Sequence, residues 1–299
     1  MRALRISLLG VLACLLPQPA TRASISDERS FPVRFEDGMV WVDVQAETRS
    51  GESTTGPLRF LVDTGASVSV LDRRAARRLG LPLGRKTAVA GVGTVVTGHG
   101  PIPWHASLGD VALPPTILVL DLERLGDACD EPVDGLLGAD FFRERIVELD
   151  YRSGTLTLLD NSPAVPDERS LPLSVSSRGF SVRARVNGGR DQPLRVDTGC
   201  ASALQWVNPS ATGRECPGPP SVGLARVSIP QTLSGIQLGS HSFDTIATGL
   251  HRKPIFPGEA GLLGNGLLAM FGVITFDTVS GFLHLGANPQ MDPQPIEPE

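Results

Sequence analysis

The feature that most constrains this chain is that it states nearly the same pattern twice. Gly38-Met39-Val40-Trp41-Val42-Asp43-Val44 alternates like a half-buried strand, and a polar turn leads on to Pro57-Leu58-Arg59-Phe60-Leu61-Val62-Asp63-Thr64-Gly65-Ala66-Ser67. Further along, residues 179–186 alternate in the same way and lead into Pro193-Leu194-Arg195-Val196-Asp197-Thr198-Gly199-Cys200-Ala201-Ser202. The back ends match too. Gly135-Leu136-Leu137-Gly138 precedes Phe141-Phe142, Asp150 and Ser153-Gly154, while Gly261-Leu262-Leu263-Gly264 precedes Leu267-Leu268, Asp277 and Ser280-Gly281. Repetition on this scale predicts two lobes of one fold, residues 30–160 and 170–287, joined by a linker at 161–169. Residues 288–299, rich in Pro and acid, are expected to be a disordered tail.

Composition narrows the fold class. With 33 Gly, 25 Pro and only 5% aromatic residues in 299, short strands and tight turns are favoured over long helices, so each lobe is expected to be all-β. One short helix is predicted over 72–79, where Asp72 can cap and Gly80 can terminate. It carries Arg73, Arg74, Arg77 and Arg78, best read as a solvated face. The formal charge of −5 supplies no basic field, and no nucleic-acid partner is expected.

Residues 1–23 read as an export signal. Arg2 and Arg5 are followed by an apolar run from Ile6 to Leu16, and a small residue, Ala20 or Ala23, stands at the cleavage site. The run is too short to span a bilayer, and no later segment reaches that length. The mature chain is therefore expected in the periplasm or beyond; Cys14 as a lipid-modified terminus is a rival reading. Cys129, Cys200 and Cys216 remain, with Cys200–Cys216 the favoured disulfide and three reduced thiols an equal alternative.

Each Asp-Thr-Gly follows an apolar strand, which projects the carboxylate from a rigid base. Gly65 and Gly199 are expected to permit a sharp turn and a close approach, and Thr64 and Thr198 to tie one loop to its partner. A pseudo-twofold arrangement brings Asp63 and Asp197 together. Carboxylates about 3 Å apart cannot both ionise, so the pair shares one proton. One member can then serve as general base on a water while its protonated partner polarises a carbonyl.

With both copies on the page, the chain resembles the clan AA aspartic peptidases, specifically a retropepsin-like unit duplicated in one chain. The resemblance covers residues 35–287. It implies a bilobal β-barrel fold with an interlobe cleft, catalytic roles for Asp63 and Asp197, and interlocking hydroxyls on Thr64 and Thr198. Leu136-Leu137-Gly138 and Leu262-Leu263-Gly264 match the family's psi-loop element. A glycine-rich flap is expected at residues 89–98, around Gly91, Val92 and Gly93, with a poorer counterpart at 223–235; one flap or both could move. Two departures stand out: the only tyrosine is Tyr151, outside the flap, and Ala66 and Cys200 occupy positions where pepsin-like sites often carry hydroxyls that hydrogen-bond the aspartate. Without those donors a mildly acidic optimum is expected.

Other chemistries lack their signatures. The five histidines form no H-x-x-x-H pair, and neither G-x-S-x-G nor G-x-x-x-x-G-K occurs. The expectation is an aspartic endopeptidase acting on an extended peptide or protein, without metal or organic cofactor and sufficient as a monomer. The rival is a non-catalytic peptide-binding or inhibitor-like module on the same fold.

Overall fold

A computed structural model of the chain describes residues 29–287, apart from 55, 92–93, 163–165, 210–219 and 223–225. The expected signal at 1–23 and tail at 288–299 lie outside the described residues.

The two lobes are sewn together by a six-stranded antiparallel sheet. Its order is Ser170–Pro172, Phe282–Leu285, Val273–Asp277, Ile146–Asp150, Thr155–Leu159, Arg29–Glu36. The central pair consists of equivalent strands from the two copies, and at its midpoint Glu148 stands opposite Thr275, its own counterpart in the repeat. The pseudo-twofold axis passes there. Both strands end in the same device: Asp150 Oδ1 accepts the backbone N–H groups of Arg152 and Ser153 (2.8 and 3.0 Å), and Asp277 Oδ1 accepts those of Val279 and Ser280 (3.1 and 2.7 Å). Aspartate is favoured at such positions because its short side chain closes the turn locally.

Above this sheet each lobe repeats one crossing. In the first, Gly135–Leu137 runs parallel to Leu58–Val62 and antiparallel to Val70–Asp72. In the second, Gly261–Gly264 runs parallel to Gln192–Asp197 and antiparallel to Leu204–Val207. Both Gly-Leu-Leu strands are buried along their whole length, which is why they read as continuous apolar runs and not as alternation. The second lobe closes into a six-stranded barrel, since Gln231–Leu238 pairs back onto Gly179–Val186. One aromatic cluster bridges the lobes. Phe142 packs against Phe276 and Phe180 at centroid separations of 5.2 and 6.3 Å, and all three are buried.

The predicted helix is present at Arg73–Arg78. Asp72 Oδ1 accepts from the Arg74 and Ala75 backbone N–H groups, Ala75 and Ala76 face the core, and Gly80 turns out at φ +69°. Arg73, Arg74 and Arg78 are paired with Asp121, Glu123 and Asp134, so the cluster is a neutralised surface. A second helix at Glu123–Cys129 and short helical turns at Ala139–Phe142 and Asn265–Leu268 were not foreseen.

Where the first flap is expected, Lys86–Gly91 pairs with Thr94–Pro103 as an antiparallel hairpin; Val92 and Gly93 lie outside the described residues. The second-lobe stretch needs correction. Only its beginning belongs to a flap-like hairpin, Pro220–Val222 with Arg226–Ser228, while residues 231–235 form part of the barrel strand.

Because one buried apolar cluster runs through both lobes, they should unfold together. Phe142→Ala should cost about 3–5 kcal/mol while keeping a single transition in chemical denaturation. Two resolved transitions in the wild type would contradict the shared core.

Candidate active site

The strand Leu58–Val62 ends at Asp63, whose backbone N–H donates to Leu137 O at 2.9 Å. The psi crossing thus fixes the aspartate at its root. In the second lobe, Asp197 closes the strand Gln192–Asp197 beside Gly264.

The two loops are locked reciprocally. Thr64 Oγ1 accepts the Thr198 backbone N–H (3.1 Å) and donates to Val196 O (2.8 Å). Thr198 Oγ1 accepts the Thr64 N–H (3.0 Å) and donates to Val62 O (2.8 Å). Both threonines are fully buried. Each hydroxyl spends its proton and a lone pair on the opposite lobe, a demand that neither Ser without the methyl packing nor Val without the oxygen meets equally.

The glycines are required for room. A Cβ on Gly65 would lie 2.4 Å from Asp197 Cγ, and one on Gly199 would lie 2.4 Å from Asp63 Cγ. Neither glycine has a positive φ, so the sharp turn expected from sequence is not the reason for them. Each lobe's glycine forms the shelf on which the other lobe's carboxylate rests.

Asp63 Oδ1 accepts the Ala66 N–H at 3.0 Å, and Asp197 Oδ1 accepts the Gly199 N–H at 2.9 Å. These bonds orient each carboxylate. Burial raises the pKa of both groups above 3.8, and for Asp197 the charge of Asp63 raises it further; the Arg195 guanidinium opposes the rise at both. Such a pair holds a proton where isolated aspartates have lost theirs.

The supporting shell differs between the lobes. In the first, Gly138 N–H donates to Ser69 Oγ (3.0 Å), which in turn donates to Asp140 Oδ1 (2.7 Å). In the second, Asn265 Nδ2 donates to Thr198 O (2.6 Å) and Gly38 O (2.8 Å), and its Oδ1 accepts from Tyr151 (2.9 Å). The single tyrosine therefore braces the second dyad loop through Asn265. Arg195, buried two residues before Asp197, makes a two-pronged pair with Glu259 (2.8 and 2.9 Å) and donates from Nη1 to Gly65 O (2.8 Å).

Cys200 does not form the favoured disulfide. It is a free thiol, its Sγ 3.0 Å from Ser202 Oγ, and burial followed by the charge of Asp197 pushes its pKa up to about 12. Cys216 lies outside the described residues. The thiol is turned to Ser202, so among the described residues no side-chain hydroxyl or thiol replaces the donor missing at position 200.

The dyad opens into a cleft of about 1160 Å³ between the lobes and beneath the flap strand at residues 87–91. On the first-lobe side it is lined by Trp41, Leu120, Leu125 and Leu136. On the second-lobe side Gln205 is fixed between Ser202 (2.7 Å) and His251 (2.6 Å), giving a more polar wall. All the expected dyad and psi residues thus converge. Leu136 and Leu262 reach the cleft, whereas Leu137 and Leu263 are wholly interior. Sequence reading passed over Ser69, Asp140, Arg195, Glu259 and Asn265. The one visible signal was Arg195, a charge set within an otherwise apolar strand.

A folded-state pKa raised above the ordinary 3.8 makes the dyad cost stability as pH climbs. The contribution is fully favourable below 3.8 and is lost as pH rises through the raised values. Asp197→Asn should therefore melt several degrees above wild type at pH 7, with the gap closing at about pH 3. Calorimetry at the two pH values checks this; an equal gap at both would contradict it.

Residues 44–141 match the family model for aspartyl proteases. No curated protein sequence matches the chain. Among solved structures, the aspartic proteinase from Irpex lacteus shares the fold with a TM-score of 0.53 at 14% identity, over 88% of this chain and 98% of that one. The first lobe thus carries aspartyl-protease sequence, and the chain as a whole has the bilobal aspartic proteinase fold.

Proposed function

We propose that the chain is an aspartic endopeptidase that hydrolyses peptide bonds with water activated between Asp63 and Asp197. The observation that carries this reading is the convergence of two carboxylates, Asp197 buried and Asp63 half-buried, each resting on the other lobe's glycine, with raised proton affinity. In the reaction the ionised member removes a proton from water as it attacks the scissile carbonyl, and the protonated member donates to the carbonyl oxygen. The resulting tetrahedral diol collapses when the amide nitrogen accepts a proton from the dyad and the C–N bond breaks, while a diol hydroxyl becomes the new carbonyl and returns its proton to the pair. Base and acid belong to the pair and not to fixed residues.

An extended peptide suits the cleft. The flap strand at 86–91 offers a backbone edge above the dyad, and the wall formed by Trp41, Leu120 and Leu136 favours apolar side chains. The proposed mechanism uses no metal or organic cofactor, and one chain carries both aspartates, so a monomer is sufficient. We further propose that the protein works after export, with residues 1–23 removed. Activity needs one proton on the pair, so raising both carboxylates places the optimum in mildly acidic solution.

The test is peptidase activity of the mature chain, its start at Ser24 checked by intact mass, on a mixed peptide library between about pH 3 and pH 7. Either Asp63→Asn or Asp197→Asn should reduce turnover by at least about 10²–10⁴-fold without unfolding the protein. Activity that survives Asp197→Asn would point to pairing of first lobes across a homodimer. No cleavage by folded wild type at any pH would favour the non-catalytic peptide-binding module.

A further inference from the structure

The two lobes differ sharply at one equivalent place. In the first, the second residue before the catalytic aspartate is Leu61, and its neighbour from the psi strand side is Val133; both belong to the small apolar cluster under the cleft. In the second, the register of the paired strands puts Arg195 at the Leu61 position, and the matching backbone bonds of Asp134 N–H to Arg59 O and Ala260 N–H to Pro193 O put Glu259 at the Val133 position. An apolar pair in one copy is thus an ion pair in the other. Arg195 is 2% exposed and each of its three guanidinium nitrogens donates a hydrogen bond. Nε and Nη2 grip Glu259, Nη1 reaches across the lobe boundary to the carbonyl of Gly65, and the guanidinium stacks 3.7 Å from the Phe256 ring.

A buried ion pair is weak support for stability, because an apolar pair of similar size does as well. The first lobe fills the equivalent place with Leu61 and Val133. A reason for the second lobe's choice lies in what the dyad lacks. Ala66 and Cys200 supply no side-chain donor to the aspartates, and the Cys200 thiol is turned to Ser202. Arg195 holds Gly65, the shelf beneath Asp197, and places a fixed positive charge behind both carboxylates.

We propose that Arg195, poised by Glu259, is a positioning residue that supports the single negative charge of the Asp63–Asp197 pair in place of the missing hydroxyl donors. Consistent with this, its charge opposes the burial-driven rise at both aspartates. The other ionisable groups facing this region are Cys200 beside Asp197, Arg143, whose Nη2 donates to Ser67 O (3.2 Å) after the first dyad loop, and, at the cleft rim, Arg178, Glu36, Asp37, Glu131 and Cys129. None of these rim groups touches the dyad loops from behind as Arg195 does. The consequence for catalysis rests on the peptidase reading above; the electrostatic role does not require turnover.

The test is a carboxyl-¹³C NMR titration of the full mature chain labelled at aspartate, with the dyad resonances assigned through Asp63→Asn and Asp197→Asn. Two variants act in opposite directions. Glu259→Gln leaves the Arg195 charge unopposed and should move the first ionisation of the dyad to lower pH. Arg195→Leu with Glu259→Val installs the first lobe's own apolar pair and should move it up by about one pH unit. A merely structural pair would change the melting temperature and leave both titrations where they are. Unmoved titrations, or shifts of the same sign in both variants, would overturn the proposal. Should the double variant fail to fold, Glu259→Gln decides alone: a downward shift supports the role and an unmoved curve overturns it. Opposite shifts in a protein that cleaves no peptide would retain the role of Arg195 and remove the peptidase reading.

Discussion

The arrangement depends on the reciprocal bond between Thr64 and Thr198. Neither loop is complete without the other lobe: each hydroxyl needs the opposite backbone, and each glycine needs the opposite carboxylate. That mutual dependence turns two similar folding units into one site. It also explains why the interlobe sheet and the Phe142–Phe180–Phe276 cluster matter, since they hold the lobes close enough for bonds near 3 Å to close. The resulting burial raises the proton affinity of both carboxylates, which is the property the proposed chemistry uses.

Symmetry stops at the supporting shell. Ala139 in the first lobe corresponds to Asn265 in the second, and Leu61 with Val133 corresponds to Arg195 with Glu259. The first lobe braces its loop internally through Ser69 and Asp140. The second uses longer polar side chains that reach across to Gly38, Tyr151 and Gly65. Both copies keep the crossing, while the buried Arg195–Glu259 pair and the Asn265 clamp stand in the second alone.

The parts written locally were legible in the sequence. Two Asp-Thr-Gly loops after apolar strands, two Gly-Leu-Leu-Gly elements and the Asp72-capped helix all depend on neighbours close along the chain, and each is found where the residues place it. What could not be read depends on distant partners. The need for Gly65 comes from Asp197, and the orientation of Cys200 comes from Ser202. The clamp of Asn265 involves residues 227 and 114 positions away. The second flap-like hairpin was misplaced because glycine content marks turns, whereas strand membership at 231–235 is decided by pairing with His241–His251.

The central claim is that Asp63 and Asp197 act as one proton-sharing unit. Calorimetric binding of a statine-type transition-state mimic, in mildly acidic buffers of differing ionisation enthalpy, addresses it directly, because the mimic's hydroxyl occupies the place of the attacking water. The account predicts tight binding that is coupled to the dyad's proton and is weakened at least about 10²-fold by either Asp→Asn substitution. Equal affinity for wild type and Asp197→Asn, or no preference for the mimic over a plain peptide of the same sequence, would contradict it.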